Sequence, residues 1–256
     1  MSYNWNWGIF FELSPDGTHT YLTLLLFGVG WTLATALSAA VMALVLGSIV
    51  GVLRTTPHPW LVRFANAYVE LFRNVPLLVQ MFLWYFVVPE VIPKAWGDWL
   101  KTQLPNLVEL PFAQFSMLEF AAAVLCLGLY TASRVAEQVR AGIQSLPRGQ
   151  THAALAMGFT LPQAYRHVLM PMGFRIVLPP MTSEFLTIFK NSSTALTIGV
   201  IELTAQSRQI SEYTFKTFEA FTAATLIYVT ITLAVIFLMR WVEGRVAVPG
   251  YIARAR

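Results

Sequence analysis

Gln150-Thr151-His152-Ala153-Ala154-Leu155-Ala156-Met157-Gly158, followed after nine residues by Val168-Leu169-Met170-Pro171, sits in a polar interruption between two hydrophobic stretches. A connection this long in a compact chain is functional more often than idle. Pro147 suits the opening of a helix, with Ser145 near the cap position. Residues 150–157 are good helix formers, and Gly158 suits a left-handed position just past a helix end. Thr160-Leu161-Pro162-Gln163 has the capping-box spacing, and Pro171 limits a second helix. The stretch 147–171 therefore predicts helix, sharp turn, helix. Ala153, Ala154 and Ala156 keep side-chain bulk low, which lets another surface approach the backbone. Docking onto a soluble partner is one reading. An amphipathic helix lying on the lipid surface is the other, and shape alone does not separate them.

Composition sets the class. Of 256 residues, 56% are hydrophobic and 12% are charged, against about a quarter charged in soluble domains. No Lys, Arg, Asp or Glu occurs from residue 17 to residue 53. This is the composition of an integral membrane protein, and the first apolar run is too long and too late for a signal peptide. The single cysteine, Cys126, lies in an apolar stretch and reads as a packing residue. The net charge of +4 is spread beside apolar runs rather than gathered in a patch, so no nucleic acid is implied.

About twenty apolar residues cross a bilayer, and five spans follow: 31–53, 76–92, 116–133, 176–201 and 220–239. The second is short, with Asn74 as its expected cap and Pro76 in its first turn. Lys and Arg set the direction. Twelve of the 17 fall in the 54–73 loop, in 134–175 and in the C-terminal tail. The expectation is an N-terminus outside, a cytoplasmic C-terminus and a cytoplasmic 147–171 element. The organisation is an interfacial N-terminal segment (1–30), a membrane domain (31–245) and a cytoplasmic tail (246–256). Trp5, Trp7, Phe10 and Phe11 suit a membrane interface, and residues 21–28 are expected as a lead-in helix on the outer surface.

The fourth span carries the candidate polar face. Ser183, Thr187, Lys190, Thr194 and Thr197 recur at spacings of 4, 3, 4 and 3, which puts them on one side of an α-helix, with Glu184 and Asn191 flanking. A charge in mid-bilayer costs roughly 2.5–3.5 kcal/mol, so Lys190 and Glu184 must face protein or water. Six residues apart on a helix, they cannot pair well with each other. Lys190 either meets an anionic substrate or forms a structural ion pair with another span. Arg134 either snorkels or takes a substrate or gating role. Glu137 and Arg140 are expected to brace the 147–171 element, and Glu119 and His19 to be solvated near the outer edge. No metal-binding set and no catalytic set is visible, and no cofactor is expected.

The 150–171 stretch resembles the cytoplasmic motif of binding-protein-dependent ABC importer permeases: Glu-Ala-Ala, three residues, Gly, nine residues, Ile-x-Leu-Pro. Ala153, Ala154, Gly158 and Pro171 match it, Val168 and Met170 are conservative replacements, and His152 stands where the motif has Glu. Tyr68-Val69-Glu70-Leu71-Phe72-Arg73-Asn74-Val75-Pro76-Leu77-Leu78-Val79-Gln80, Ala136-Glu137-Gln138-Val139-Arg140-Ala141-Gly142-Ile143 and Lys190-Asn191-Ser192-Ser193 resemble polar amino-acid permeases. Phe174 to Glu184 resembles the glutamate/aspartate importers among them. The resemblance covers about residues 20–245.

The resemblance implies an all-α type I permease fold in a bacterial inner membrane. It implies cytoplasmic ATP-binding subunits, a second permease subunit of the same or another kind, and a periplasmic solute-binding protein. It places ATPase coupling at Thr151, His152, Ala153, Ala154, Gly158 and Pro171. The chain has no Gly-x-x-x-x-Gly-Lys-Ser/Thr loop, so ATP hydrolysis is expected elsewhere. The alternatives are an ATP-independent transporter or channel, and a membrane scaffold without transport.

Overall fold

A computed structural model describes residues 3–104 and 115–246. Apart from one isolated bridge between Leu13 and Thr20, every regular element among them is helical. The α-helices are α1 (Tyr21–Leu53), α2 (Pro59–Asn74), α3 (Leu77–Phe82), α4 (Val88–Val91), α5 (Lys94–Thr102), α6 (Met117–Gln144), α7 (Arg148–Ala156), α8 (Leu161–Ala164), α9 (Met170–Asn191), α10 (Leu203–Thr214) and α11 (Thr217–Val246). The described residues gather into two compact units. Among the described residues, the first draws on 3–39, 76–104, 115–127 and 188–234, the second on 40–75, 128–187 and 235–246.

Three described helices, α1, α6 and α11, are long and apolar enough to cross a membrane; a bent pair, Pro59–Asn74 with Leu77–Val91, makes a fourth if counted as one span. The expected spans 31–53 and 220–239 thus lie inside longer helices, as does 116–133 from Met117 onward. Residues 21–28 are the first turns of α1 rather than a separate lead-in helix. The reason is that nothing between residues 21 and 53 breaks a helix. The second expected span begins differently from its prediction: Asn74 is the last residue of α2, and Pro76 caps α3. The expected fourth span is not one helix. The α-helix ends at Asn191 and a 3-10 helix, Ser192–Ile198, follows. The expected tail beyond Val246 lies outside the described residues.

Two prolines share one device, whereas Pro179 and Pro180 lie inside α9 without it. Leu83–Val87 and Tyr165–Leu169 are π-helical turns, and each ends two residues before a proline, Pro89 and Pro171. Within an α-helix a proline ring collides with the carbonyl four residues back. A π turn widens the helix there. The Val88 amide accordingly donates to the Leu83 carbonyl, and the Met170 amide to that of Tyr165. Pro171 therefore does not limit the helix, as the sequence suggested; α8, the π turn and α9 run on without a break.

In the first unit, Ile9, Tyr21, Leu24, Leu25, Leu203, Ile210, Ala220 and Ala224 form the core. Glu202, fully buried, caps α10 by accepting from the Thr204 amide at 2.9 Å and the Ala205 amide at 3.0 Å. The Tyr228 hydroxyl donates to it at 2.7 Å. Glu119 is not merely solvated, as expected, but accepts from the Tyr85 hydroxyl and the Ser116 amide, both at 2.9 Å. Before α1, Asp16 accepts from the Ser14 hydroxyl and from the Thr18 and His19 amides. The Ser14 bond leads in holding its carboxyl well below the usual carboxylate range.

In the second unit, Val135, Val139, Ile143, Val177 and Met181 form the core. Gly47 and Gly51 let α1 close on α6. A Cβ at Gly47 would stand 2.7 Å from the Ala132 carbonyl oxygen, and one at Gly51 2.8 Å from that of Ala136. Small residues four apart are how apolar helices approach in a bilayer, where packing rather than water exclusion drives contact. Thr182 adds a polar tie, donating to Glu243 at 2.6 Å. Gly47→Ala is expected to destabilise the protein by about 1–3 kcal/mol through overpacking against backbone, read as a lowered thermal midpoint in detergent. A flat midpoint would show that the helices separate there freely.

Candidate functional site

In the second unit the chain leaves α6 at Gln144, and Pro147 caps α7. The end of α7 is a Schellman turn. The Phe159 amide donates to the Ala154 carbonyl at 3.2 Å, and the Gly158 amide to that of Leu155 at 3.0 Å. Gly158 sits at φ +85°, with nothing near its missing Cβ. The left-handed backbone, not crowding, is what calls for glycine. Thr160 then starts α8. Its amide donates to the Gln163 side chain at 2.8 Å, the capping box read from the sequence. The predicted helix, turn and helix are all present.

The faces of this element are more specific than its alanine count suggested. Ala153 and His152 are exposed, whereas Ala154 is 1% exposed and packs inward. The turn presents bulk as well as small residues, since Leu155, Met157 and Phe159 are all exposed. Thr151 lines a cleft of about 540 Å³ with Thr55, Gln144, Arg148, Tyr165 and neighbouring apolar side chains. The Tyr165 hydroxyl donates to the Thr55 carbonyl at 2.5 Å, tying the π turn to the segment after α1. Pro171 is exposed.

Above this element lies a cluster that spacing could reveal only in part. Glu137 accepts from Arg54 at 2.5 Å and from Arg140, and Arg73 stands 3.6 Å away. Arg54 also donates from Nε to Asn66 Oδ1 at 2.6 Å. Glu137 and Arg140 were expected to brace the 147–171 element; instead Glu137 ties α6 to Arg54 and Arg73, from elements far apart in sequence, and Arg140 donates to Gln144 at the end of α6 itself.

Arg134 and Glu184 are not two separate candidate charges. Arg134 Nε donates to Glu184 Oε2 at 2.6 Å and Nη2 to Oε1 at 3.3 Å, a forked pair. Glu184 is buried and the pair neutralises it. The partner that Glu184 required is therefore Arg134, fifty residues earlier. Ser183 is exposed, and Thr187 donates to the Ser183 carbonyl at 2.7 Å.

In the first unit, Lys190 is exposed and has no ion-pair partner among the described residues. Asn191 is half-buried and ends α9. Thr194 donates to the Asn191 carbonyl and Thr197 to that of Thr194, each at 2.7 Å. The single α-helical face expected through Thr197 does not extend past Asn191, because a 3-10 helix turns every three residues. These hydroxyls spend their protons on backbone carbonyls and keep only acceptor lone pairs for anything else. No group of three or more metal-ligating side chains occurs among the described residues.

Gly158→Ala is expected to cost about 1–2 kcal/mol of stability from the left-handed backbone, and Gly158→Asn less; equal losses in thermal unfolding would refute the Schellman reading. A double-mutant cycle on Arg134→Gln and Glu184→Gln should give a coupling of about 1–3 kcal/mol. Additive losses would mean that the pair holds nothing.

Residues 43–248 match the family described as binding-protein-dependent transport system inner membrane component. The chain is 49% identical to the glutamate/aspartate import permease protein GltJ of Escherichia coli (strain K12) over 251 residues, 98% of each chain. It is 33% identical to the probable glutamine ABC transporter permease protein GlnM of Bacillus subtilis (strain 168), covering 84% of this chain and 89% of that one. Among solved structures, a chain from a crystal structure of an amino acid ABC transporter with histidines aligns with TM-score 0.70 and 28% identity, over 88% of this chain and 95% of that one. With four-fifths of its length inside one family model and relatives matched nearly end to end, the chain belongs to the inner-membrane components of binding-protein-dependent transport systems, a permease subunit and not an enzyme.

Proposed function

We propose that this permease carries glutamate and aspartate inward, in an importer driven by separate ATP-binding subunits and supplied by a periplasmic solute-binding protein. The observation that carries the substrate class is the 49% identity, across 98% of both chains, to a glutamate/aspartate import permease. A second permease subunit completes the passage. Five spans cross the membrane, with the N-terminus outside and the C-terminus cytoplasmic, a direction supported by the placement of 12 of 17 Lys and Arg.

The 147–171 element docks on the ATPase. Thr151, His152, Ala153, Gly158 and Pro171 belong to its accessible face or shape its turn, and Ala154 packs the element from behind. With His152 in place of Glu, the contact relies on shape and on exposed Leu155, Met157 and Phe159 more than on a carboxylate. Closure of the ATPases moves this element and switches the permease between two states, which requires contacts that differ between them.

Lys190 is the cation for the substrate carboxylate. It is exposed, and Glu184, the acid on that helix, is already matched by Arg134. Asn191, Thr187, Thr194 and Ser183 serve as neutral polar neighbours along the same chain segment.

The test is ATP-dependent uptake of labelled glutamate by vesicles holding the complete transporter. Competition by aspartate and indifference to neutral amino acids are expected. Uptake without ATP, or uptake confined to neutral amino acids, would overturn the reading. Lys190→Met should lower glutamate uptake about 10- to 100-fold, the loss of one charge-assisted bond, while ATPase subunits still co-purify. Unchanged uptake with lost assembly would return Lys190 to a structural role.

A further inference from the structure

Helix α2 has two apolar faces, and only one of them is covered. Ala65 and Val69 are each 2% exposed and pack inward. Opposite them, Trp60, Phe64, Ala67 and Leu71 recur at spacings of 4, 3 and 4, which confines them to one narrow stripe along the helix. Trp60 is 76%, Phe64 79% and Leu71 61% exposed. One flank between the two faces is polar, with Arg63, Asn66, Glu70 and Arg73; the other carries Leu61, Tyr68 and Phe72. The Arg63 guanidinium lies over the Trp60 ring, 5.1 Å from its centroid.

The level of this helix is set by its contacts. The uncharged run of α1 ends at Leu53, and the next residue, Arg54, bonds Asn66 of α2 and Glu137 of α6. α2 is therefore held where the apolar length of α1 gives way to charge, the depth of a bilayer surface. A helix with an apolar side rich in Trp and Phe and a basic polar side beds in that surface. Charge points the same way: Arg54, Arg63, Arg73 and Arg140 outnumber Glu70 and Glu137. A stable protein interface engages about 20–30 residues a side, whereas this stripe offers four on one helix.

We propose that α2 is an interfacial helix that beds Trp60, Phe64 and Leu71 in the bilayer leaflet at the Arg54 end of α1 and holds anionic glycerophospholipid headgroups along its Arg63 flank. The arrangement connects lipid to the docking element, because Arg54 and Thr55 join α2 and the Tyr165 turn through hydrogen bonds of 2.6 Å and 2.5 Å.

The only cysteine of the chain, Cys126, is buried and can be replaced by Ala without leaving a competing thiol. A nitroxide is then placed by Phe64→Cys, and in separate proteins by Leu71→Cys and Glu70→Cys. Each is assembled with cysteine-free partner subunits in phosphatidylcholine vesicles, with and without phosphatidylglycerol. Labels at 64 and 71 should collide with oxygen and be shielded from a water-soluble nickel chelate, while the label at 70 should show the reverse. Omitting phosphatidylglycerol, or adding Arg63→Gln, should raise nickel access at 64 about fivefold, the factor one basic residue contributes at an anionic surface. Nickel access at 64 and 71 in every lipid would overturn the proposal. So would dipolar broadening between labels on neighbouring subunits, which would make a protein the occupant. Oxygen-only contact indifferent to both phosphatidylglycerol and Arg63 would remove the headgroup half.

Discussion

The helix that passes through Pro171 is the constraint on which the rest depends. Proline has no amide to donate and crowds the carbonyl four residues back, so it ordinarily ends or kinks a helix. Here the turn from Tyr165 to Leu169 is widened by one residue, and the helix continues to Asn191. Leu161 and Glu184 thereby lie on one continuous helical rod, with Pro179 and Pro180 also inside it, rather than on two helices separated by a loop. Were the helix to break at Pro171, the Schellman turn at Gly158 and the charge pair at Glu184 would be separate local features with no mechanical relation.

The surroundings keep the lower part of that rod in place. Tyr165 is tied to Thr55, and Val177 and Met181 sit in the core with Val135, Val139 and Ile143. Arg134 then neutralises Glu184 across the unit. Breaking one member of such a pair leaves a charge with poor solvation, which is why its removal costs more than the intact pair contributes. Glu137 collects Arg54, Arg73 and Arg140 around one carboxylate, joining α1, α2 and α6. The element at 147–171 is thus joined to this base through Tyr165, and its turn is left exposed.

Features set by neighbours in sequence could be read before the structure. Pro147, Gly158 and the Thr160–Gln163 box act over three or four residues, and each does what its spacing indicates. The long helices could be read too, because apolar length needs no tertiary information. What could not be read was set by distance or by helix type. Glu184 visibly needed a partner, but nothing local singles out Arg134 among the arginines. The polar face on α9 failed past Asn191 because the residues turn from α to 3-10 geometry, a change that spacing alone does not reveal. Helix α2 was hidden because two apolar faces and a polar flank read as a charged loop; Pro59 at its first turn and the pairs Trp60–Phe64 and Ala65–Val69 were the available signals.

In the proposed function, the 147–171 element is where a separate ATPase takes hold. A photo-crosslinking residue at exposed Ala153, in the complete transporter in vesicles, tests it directly. The account predicts a crosslink to the ATP-binding subunit that changes in yield between nucleotide-free and ATP-bound conditions. Crosslinks to lipid alone, with or without nucleotide, would contradict it.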